Sequence, residues 1–295
     1  MIAFEEIIQE KDKQKRDLLI KEKLSELNDT CNSVEINTNS IMAGFISKKS
    51  KMQFSDCHFD MNIGLGSIYG MKEDNYFYEF FDFLADHNLT TKQNVIEFIS
   101  PFLKMYFDEQ GKKDNDRGIL FDDIWRQLDA MYEDKERFNR CKDSWLDIGI
   151  FKDRSAAECT EHACVTQNLL TFCDIDSCYI SGHMKSNKSD EDHAFNIFKM
   201  DENFYLLDST NPNCLFDSSD NYVGCKSFFY RIQNDKVIDF MKNNSEIKLP
   251  KCNFMKKSDG TIMKVDNDNY IYTTSSKFLN EEDINIFLND SKKIL

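Results

Sequence analysis

Three residues in the middle of the chain have the types and the spacing that nucleophilic catalysis requires. Cys159 lies at the predicted start of a helix, where the positive end of the helix dipole and unpaired backbone N–H groups favour a thiolate. His193 opens a predicted strand, which Asp201 and Glu202 reverse into a second strand carrying Asp208. If this turn is tight, His193 and Asp208 share one face of the hairpin, within about 5–8 Å of each other. The carboxylate can then orient the imidazole and stabilise its protonated form.

The elements that must position these residues follow from the pattern of apolar residues. A solvated helix docked by one edge is predicted over residues 1–28, and a short helix over residues 156–172 precedes a series of strands. Further helices are predicted over Tyr76–Asp86, Thr91–Tyr106 and Phe121–Phe138, and after residue 280 at the C-terminus. The predicted strands are Ser177–Met184, Ala194–Met200, Phe204–Thr210, Lys226–Ile232, Thr261–Val265 and Tyr270–Thr274. This order predicts an α+β fold, with a mainly helical region of unknown role over residues 1–147.

The composition restricts the partners and the compartment. The chain has 295 residues and a formal net charge of −15, and such an acidic surface repels phosphate backbones, so nucleic acid is not an expected partner. No run of eighteen apolar residues occurs, which predicts that no segment spans a membrane. The N-terminal sequence lacks the pattern of a secretory signal. We therefore expect a cytoplasmic protein with ten reduced cysteines.

Three short motifs around these residues follow one another at intervals of 34 and 15 residues. In this order they resemble the core of the transglutaminase-like superfamily, which includes transglutaminases, related cysteine proteases and peptide N-glycanases. The residues that carry the resemblance are Cys159, Ala163, Leu169, Leu170, Ile175 and Gly182 in the first motif, His193, Ala194, Phe195 and Asn196 in the second, and Phe204, Tyr205, Asp208, Ser209 and Thr210 in the third. The resemblance implies a papain-like core over residues 148–295, in which a helix bearing the nucleophile packs on an antiparallel sheet.

Four positions depart from the usual pattern of the superfamily. Phe195 replaces the more common tryptophan, and Asp174 stands where a glycine usually ends the helix. Ser209 stands where proline is common, and Cys178 takes a position often held by arginine. None of these belongs to the predicted triad, so the departures bear on the subfamily rather than on the chemistry.

The resemblance implies a thiol-dependent hydrolase or acyl transferase that acts on peptide or protein amides without a cofactor. Cys159 would be the nucleophile, His193 the base and Asp208 the orienting acid, with a thioester as the intermediate. Hydrolysis of the thioester is the preferred outcome, and amine transfer, as in transglutaminases, is the enzymatic alternative. A non-catalytic binding module on the same scaffold is the alternative from another class. The oligomeric state is not predicted.

Two neighbouring residues and a metal site compete with this interpretation. Cys164 lies five residues along the helix from Cys159, about 140° around its axis, so both thiols cannot face His193. His162 lies on the same short helix and is interpreted as a wall or structural residue. Two Cys-x4-Cys pairs are superficially similar to a zinc module, but no Cys-x2-Cys pair occurs, so no metal site is predicted.

Overall fold

The fold is α+β, as predicted: a mostly antiparallel nine-stranded sheet, a small second sheet and packed helices. The structure is a computed structural model. It describes residues 2–30, 32–37, 45–46, 50–56, 61–64, 76–107, 146–147, 157–265, 268–274, 284–285 and 287–288. The predicted helix Phe121–Phe138 and the cap at residue 280 lie outside the described residues.

Four helices occupy much of the described part of residues 1–147: α1 (Phe4–Gln9), α2 (Lys13–Thr30), α3 (Tyr76–Asp86) and α4 (Lys92–Tyr106). Helices α3 and α4 confirm the two helices predicted there. Thr91 caps α4, because its side chain accepts a hydrogen bond of 3.1 Å from the backbone N–H of Asn94. The single helix predicted over residues 1–28 is wrong. The side chain of Asp12 accepts hydrogen bonds from the N–H groups of the following turn and starts a second helix there.

Short strands accompany these helices: β1 (Asn32–Asn37), β2 (Phe45–Ile46), β3 (Ser50–Asp56), β4 (Met61–Gly64) and β5 (Leu146–Asp147). Strands β1, β3, β4 and β5 form the small sheet in the order β1-β3-β4-β5. Strand β2 instead pairs with the large sheet. Chain from both predicted regions therefore contributes to the large sheet.

The large sheet follows α5 (Cys159–Phe172). Its strands are β6 (Asp176–Lys185), β7 (Asp190–Met200), β8 (Asn203–Asp217), β9 (Tyr222–Ile232), β10 (Ile247–Lys251), β11 (Phe254–Lys256), β12 (Ile262–Lys264) and β13 (Asp268–Thr274). Helix α6 (Asn234–Asn243) lies between β9 and β10. The main order is β10-β13-β6-β7-β8-β11-β12, with β2 on β6 and β9 on β8. All six predicted strands are present, whereas α6, β10 and β11 were not predicted.

The central strands are covered on both faces, because successive side chains of a strand point to opposite sides. On β7, Ala194 and Phe198 pack in one core with α5 and the N-terminal helices. Phe195 and Ile197 pack in a second core with α6. Since the first core joins residues on either side of residue 147, packing crosses the predicted domain boundary there, and the division into two domains stays a prediction.

Helix α5 ends in a motif that ties it to the N-terminal helices. Asp174 has a left-handed backbone conformation (φ 56°), and the N–H of Ile175 donates to the carbonyl of Leu170 at 2.9 Å. The Asp174 carboxylate accepts a hydrogen bond from the buried ammonium of Lys23 at 2.7 Å and another from the N–H of Phe4 at 3.0 Å. The aspartate that replaces the usual glycine thus anchors α1 and α2.

No helix in the described part of the chain combines the length and the apolar character needed to cross a membrane.

Candidate active site

The β7–β8 hairpin brings His193 and Asp208 together as the sequence predicts. Asp201 and Glu202 both have positive φ, 49° and 61°, and form the tight two-residue turn. Asn196 pairs with Leu207 across the ladder, so the next pair in this register is Phe195 with Asp208. His193 lies two residues before Phe195 and is therefore on the same face as Asp208. The Nε2 of His193 lies 2.9 Å from Oδ2 of Asp208, and both side chains are buried.

Asp208 is surrounded by hydrogen-bond donors. Its Oδ2 accepts from His193, from the Tyr272 hydroxyl at 2.9 Å and from the Asn211 side chain at 3.0 Å. Its Oδ1 accepts from the backbone N–H groups of Thr210 at 3.1 Å and Asn211 at 3.2 Å. Burial alone would raise the pKa of this carboxyl, but the His193 charge and the donated hydrogen bonds outweigh it and lower the pKa. Asp208 is therefore held as a carboxylate.

The His193 imidazole is held in its protonated form, because its pKa is raised well above the usual value. Burial acts in the opposite direction, but the charge of Asp208 and its hydrogen bond dominate. The Cys159 thiol also acts to raise the pKa of His193. Since Nε2 is engaged by Asp208, Nδ1 is the ring nitrogen left for the thiol. The structure thus joins His193 directly to Asp208 and places Cys159 among the groups that act on the imidazole.

Cys159 is the first residue of α5 and is half-buried. The third and fourth N–H groups of this helix end are occupied: the Glu158 side chain caps the N–H of Glu161, and the Glu158 carbonyl accepts from the N–H of His162. Within the described residues, the N–H groups of Cys159 and Thr160 have no hydrogen-bond acceptor. Two backbone donors therefore remain beside the thiol.

The two rival residues are buried in the core. Cys164 has no exposed surface, and burial, with Glu161 and Cys159 nearby, raises the pKa of its thiol well above the usual value. The His162 ring packs against Phe107, with the ring centroids 5.2 Å apart. The geometry therefore favours Cys159 as the nucleophile and agrees with a structural role for His162.

Three residues of the site were not predicted. Tyr272 on β13 is buried and donates to Asp208 from 64 positions further along the chain. Tyr179 on β6 is buried, which raises the pKa of its hydroxyl, and Cys164 and Cys159 of α5 add to this rise in the pKa. Lys251 at the end of β10 is buried and donates to the carbonyls of Asn211, at 2.7 Å, and Pro212. These contacts join segments that are distant in sequence, and no local pattern indicates them.

Three of the positions that depart from the superfamily pattern lie on β6, β7 and β8. Phe195 packs against the His193 ring, with an angle of 20° between the ring planes, and edge-to-face against Tyr272. The Ser209 hydroxyl accepts a buried hydrogen bond of 2.9 Å from Thr166 and so joins β8 to α5. Cys178 is fully buried, and burial raises the pKa of its thiol. An arginine at that position would have to bury an unpaired charge.

Gly182 permits the close approach of β13 that delivers Tyr272. It pairs with His193 on one side and with Thr274 on the other. A Cβ atom at Gly182 would lie 1.9 Å from the carbonyl oxygen of Thr273. That oxygen belongs to the backbone of β13, so the whole strand would have to move.

We expect Gly182→Ala to lower the free energy of unfolding by about 1–3 kcal/mol, because the added methyl group overlaps the β13 backbone. Urea unfolding measures the loss. Gly224→Ala is the matched control, since a Cβ at that strand glycine meets no atom within 4 Å. Equal stability of the two variants would contradict the close approach of β13 to β6.

The described residues contain no group of three or more His, Cys, Asp or Glu side chains arranged to hold a metal ion. Cys173 and Cys178, two of the four cysteines in the Cys-x4-Cys pairs, are fully buried, and burial raises the pKa of both thiols. A thiol that stays protonated is a poor metal ligand.

Comparisons of the chain with protein-family models, with curated proteins and with solved structures found no match. Membership of the transglutaminase-like superfamily therefore stays a prediction from the three motifs.

Proposed function

We propose that the protein is a thiol-dependent hydrolase or acyl transferase acting on peptide or protein amides, with a papain-like transglutaminase core. The observation that carries the proposal is the 2.9 Å contact between the buried His193 and Asp208, with Cys159 at the start of α5 among the groups that raise the pKa of the imidazole. Each of the three residues comes from a different element, and the nucleophile lies at a helix N-terminus. Such an arrangement has the three roles that thiol catalysis of acyl transfer needs.

In the first half of the reaction, the Cys159 sulfur attacks the carbonyl carbon of a carboxamide, and its proton resides on His193. The imidazolium then gives that proton to the leaving amine or ammonia, and a thioester joins the acyl group to Cys159. Asp208 stabilises the imidazolium and holds its tautomer throughout. The raised pKa of His193 suits a group that must first carry the proton and then release it to a more basic amine.

The tetrahedral intermediate carries a negative oxygen that requires donors. The N–H groups of Cys159 and Thr160 lie at the positive end of α5 next to the sulfur, and we assign them this task. The capping of Glu161 by Glu158 keeps the helix end ordered without occupying these two donors. Removal of one preorganised donor of this kind costs about 10²–10³ in turnover.

The second half of the reaction distinguishes the two enzymatic outcomes. His193 can deprotonate a water molecule, which gives hydrolysis, or a primary amine, which gives transfer. Both acceptors need the same triad, so the thioester is the shared intermediate. Hydrolysis is the leading proposal, and amine transfer is the alternative.

A partition experiment tests the proposal. An unfolded glutamine-containing protein is incubated with the full chain and a fluorescent primary amine. Incorporated amine, released ammonia and new N-termini are then measured separately. We expect ammonia or new N-termini to exceed incorporated amine. Incorporation as the main product would assign the transfer reaction. Absence of all three products, together with alkylation of Cys159 no faster than that of Cys252, would contradict the proposed function.

A further inference from the structure

A pair of thiols outside the candidate site joins the strand that carries Asp208 to its neighbour. Cys214 on β8 and Cys225 on β9 face each other directly in the antiparallel ladder, so their side chains lie on the same side of the sheet. Both are half-buried free thiols. The proposed reaction uses neither of them.

The hydrogen bonds of the ladder indicate that this pair is of the close type. In an antiparallel ladder, hydrogen-bonded pairs exchange both N–H···O bonds, whereas non-hydrogen-bonded pairs leave their N–H groups pointing away and bring the Cα atoms to about 4.5 Å. The N–H of Cys214 points away from β9 and donates to the side chain of Asn253 at 3.2 Å. Cys214 and Cys225 are therefore a non-hydrogen-bonded pair, with a Cα separation within the range of disulfides.

The surroundings of the two thiols contain both apolar and cationic groups. Burial raises the pKa of Cys225, and the ammonium groups of Lys104 and Lys251 counteract this rise. The Cys214 thiol contacts the carbonyl oxygen of Pro212 at 3.6 Å. Lys251 donates to that same carbonyl. The Cys214 thiol and the buried Lys251 thus both contact the carbonyl oxygen of Pro212.

We propose that Cys214 and Cys225 form a reversible disulfide that alters the setting of Asp208. One thiolate attacks a low-molecular-weight disulfide and displaces one small thiolate, which takes up the proton released by the protein thiol. The second thiolate then attacks the protein sulfur of this mixed disulfide and displaces the other small thiolate, again with transfer of one proton. Two protein thiols are oxidised and one small disulfide is reduced to two thiols.

The disulfide would affect Asp208 through the hydrogen bonds that Lys251 and Asn211 make. Once Cys214 is oxidised, it has no S–H proton to share with the Pro212 carbonyl. Lys251, which also donates to the carbonyl of Asn211 at 2.7 Å, must then redistribute its hydrogen bonds. Asn211 supplies two of the five donors to Asp208. The inference does not depend on catalysis, because it concerns only the thiol pair and the environment of His193.

The test uses the full chain in a graded series of oxidised and reduced glutathione, quenched by alkylation and mapped by mass spectrometry without reduction. We expect a cross-linked peptide joining Cys214 to Cys225, with alkylation of both falling at least about tenfold across the series. In Cys225→Ala the cross-link should vanish and a mixed disulfide should remain on Cys214. Cys252→Ala, which removes a half-buried cysteine outside the pair, should behave as the wild type.

The coupling is read from the imidazole NMR signals of His193, assigned with a His193→Gln variant. They should shift between the oxidised and reduced wild type and stay unchanged in Cys225→Ala under the same conditions. Independent alkylation of Cys214 and Cys225, with no cross-link at any ratio, would overturn the disulfide. A complete cross-link that leaves the His193 signals unmoved would overturn the coupling to Asp208.

Discussion

Cys159→Ala should reduce turnover by at least about 10³-fold while the protein stays folded, because removal of a nucleophile eliminates the thioester route entirely. The side chain is half-buried at the first position of α5, so its loss leaves only a small gap. Turnover is measured as the sum of ammonia release, new N-termini and incorporated amine. Far-ultraviolet circular dichroism and urea unfolding verify the fold.

Cys164→Ala is the matched control for this variant. It removes a thiol from the same helix, but one that is fully buried and kept protonated. We expect it to retain turnover within a factor of about three, at a stability cost typical of a small core truncation. Loss of activity in Cys164→Ala with retention in Cys159→Ala would transfer the nucleophilic role to Cys164 and reject the proposed triad.

The core of the site could be predicted because its geometry is local. A two-residue turn sets the register of a hairpin, so the spacing from His193 to Asp208 determines that they meet. The helix predicted over residues 156–172 is present as α5 (Cys159–Phe172), and the motif spacing to Ala163 and Gly182 selected Cys159 within it. Short-range rules of this kind need no knowledge of how distant segments pack.

The rest of the site depends on long-range packing. Tyr272 reaches Asp208 only because Gly182 lets β13 pass close to β6, and the sequence contains no signal that pairs these two strands. Lys251 was overlooked because a lysine in a short strand is usually exposed, whereas here three nearby carbonyl oxygens solvate its ammonium. Helix α6 was missed although Val237, Phe240 and Met241 have helical spacing and are buried.

Asp208→Asn should lower turnover by about 10²–10⁴-fold, because the arrangement of donors around this residue requires a carboxylate. Four residues supply five donor groups to its two oxygens, two of them from Asn211. An amide must turn its NH₂ either towards the N–H groups of Thr210 and Asn211 or towards His193 and Tyr272. Either orientation opposes donor to donor, and the second also favours the wrong tautomer of the imidazole. Turnover within threefold of the wild type would contradict this prediction.

The same variant should change how the reactivity of Cys159 depends on pH. Asp208 is the main cause that raises the pKa of His193, so without its charge burial lowers that pKa, and the imidazole is neutral at pH 7. No imidazolium then supports the thiolate. The rate of Cys159 alkylation at pH 7 should fall, and the pH dependence of this rate should change, because the imidazolium no longer supports the attacking sulfur. An unchanged pH dependence of the alkylation rate would show that Asp208 does not control the reactivity of Cys159.

Stability should show a matching pH window. The raised pKa of His193 stabilises the fold fully below the unfolded value of about 6.5, and this contribution is lost as pH rises through the folded pKa. The lowered pKa of Asp208 stabilises the fold above about 4, and that contribution is lost as pH falls through its folded pKa. The wild type should therefore exceed Asp208→Asn most between about pH 4 and 6.5, by about 3–5 kcal/mol for a broken buried pair. Urea unfolding at pH 5.5 and at alkaline pH measures the difference, with Asp220→Asn as an exposed control just after β8. A difference that stays constant across this range would show that His193 and Asp208 do not form a charged pair in the folded protein.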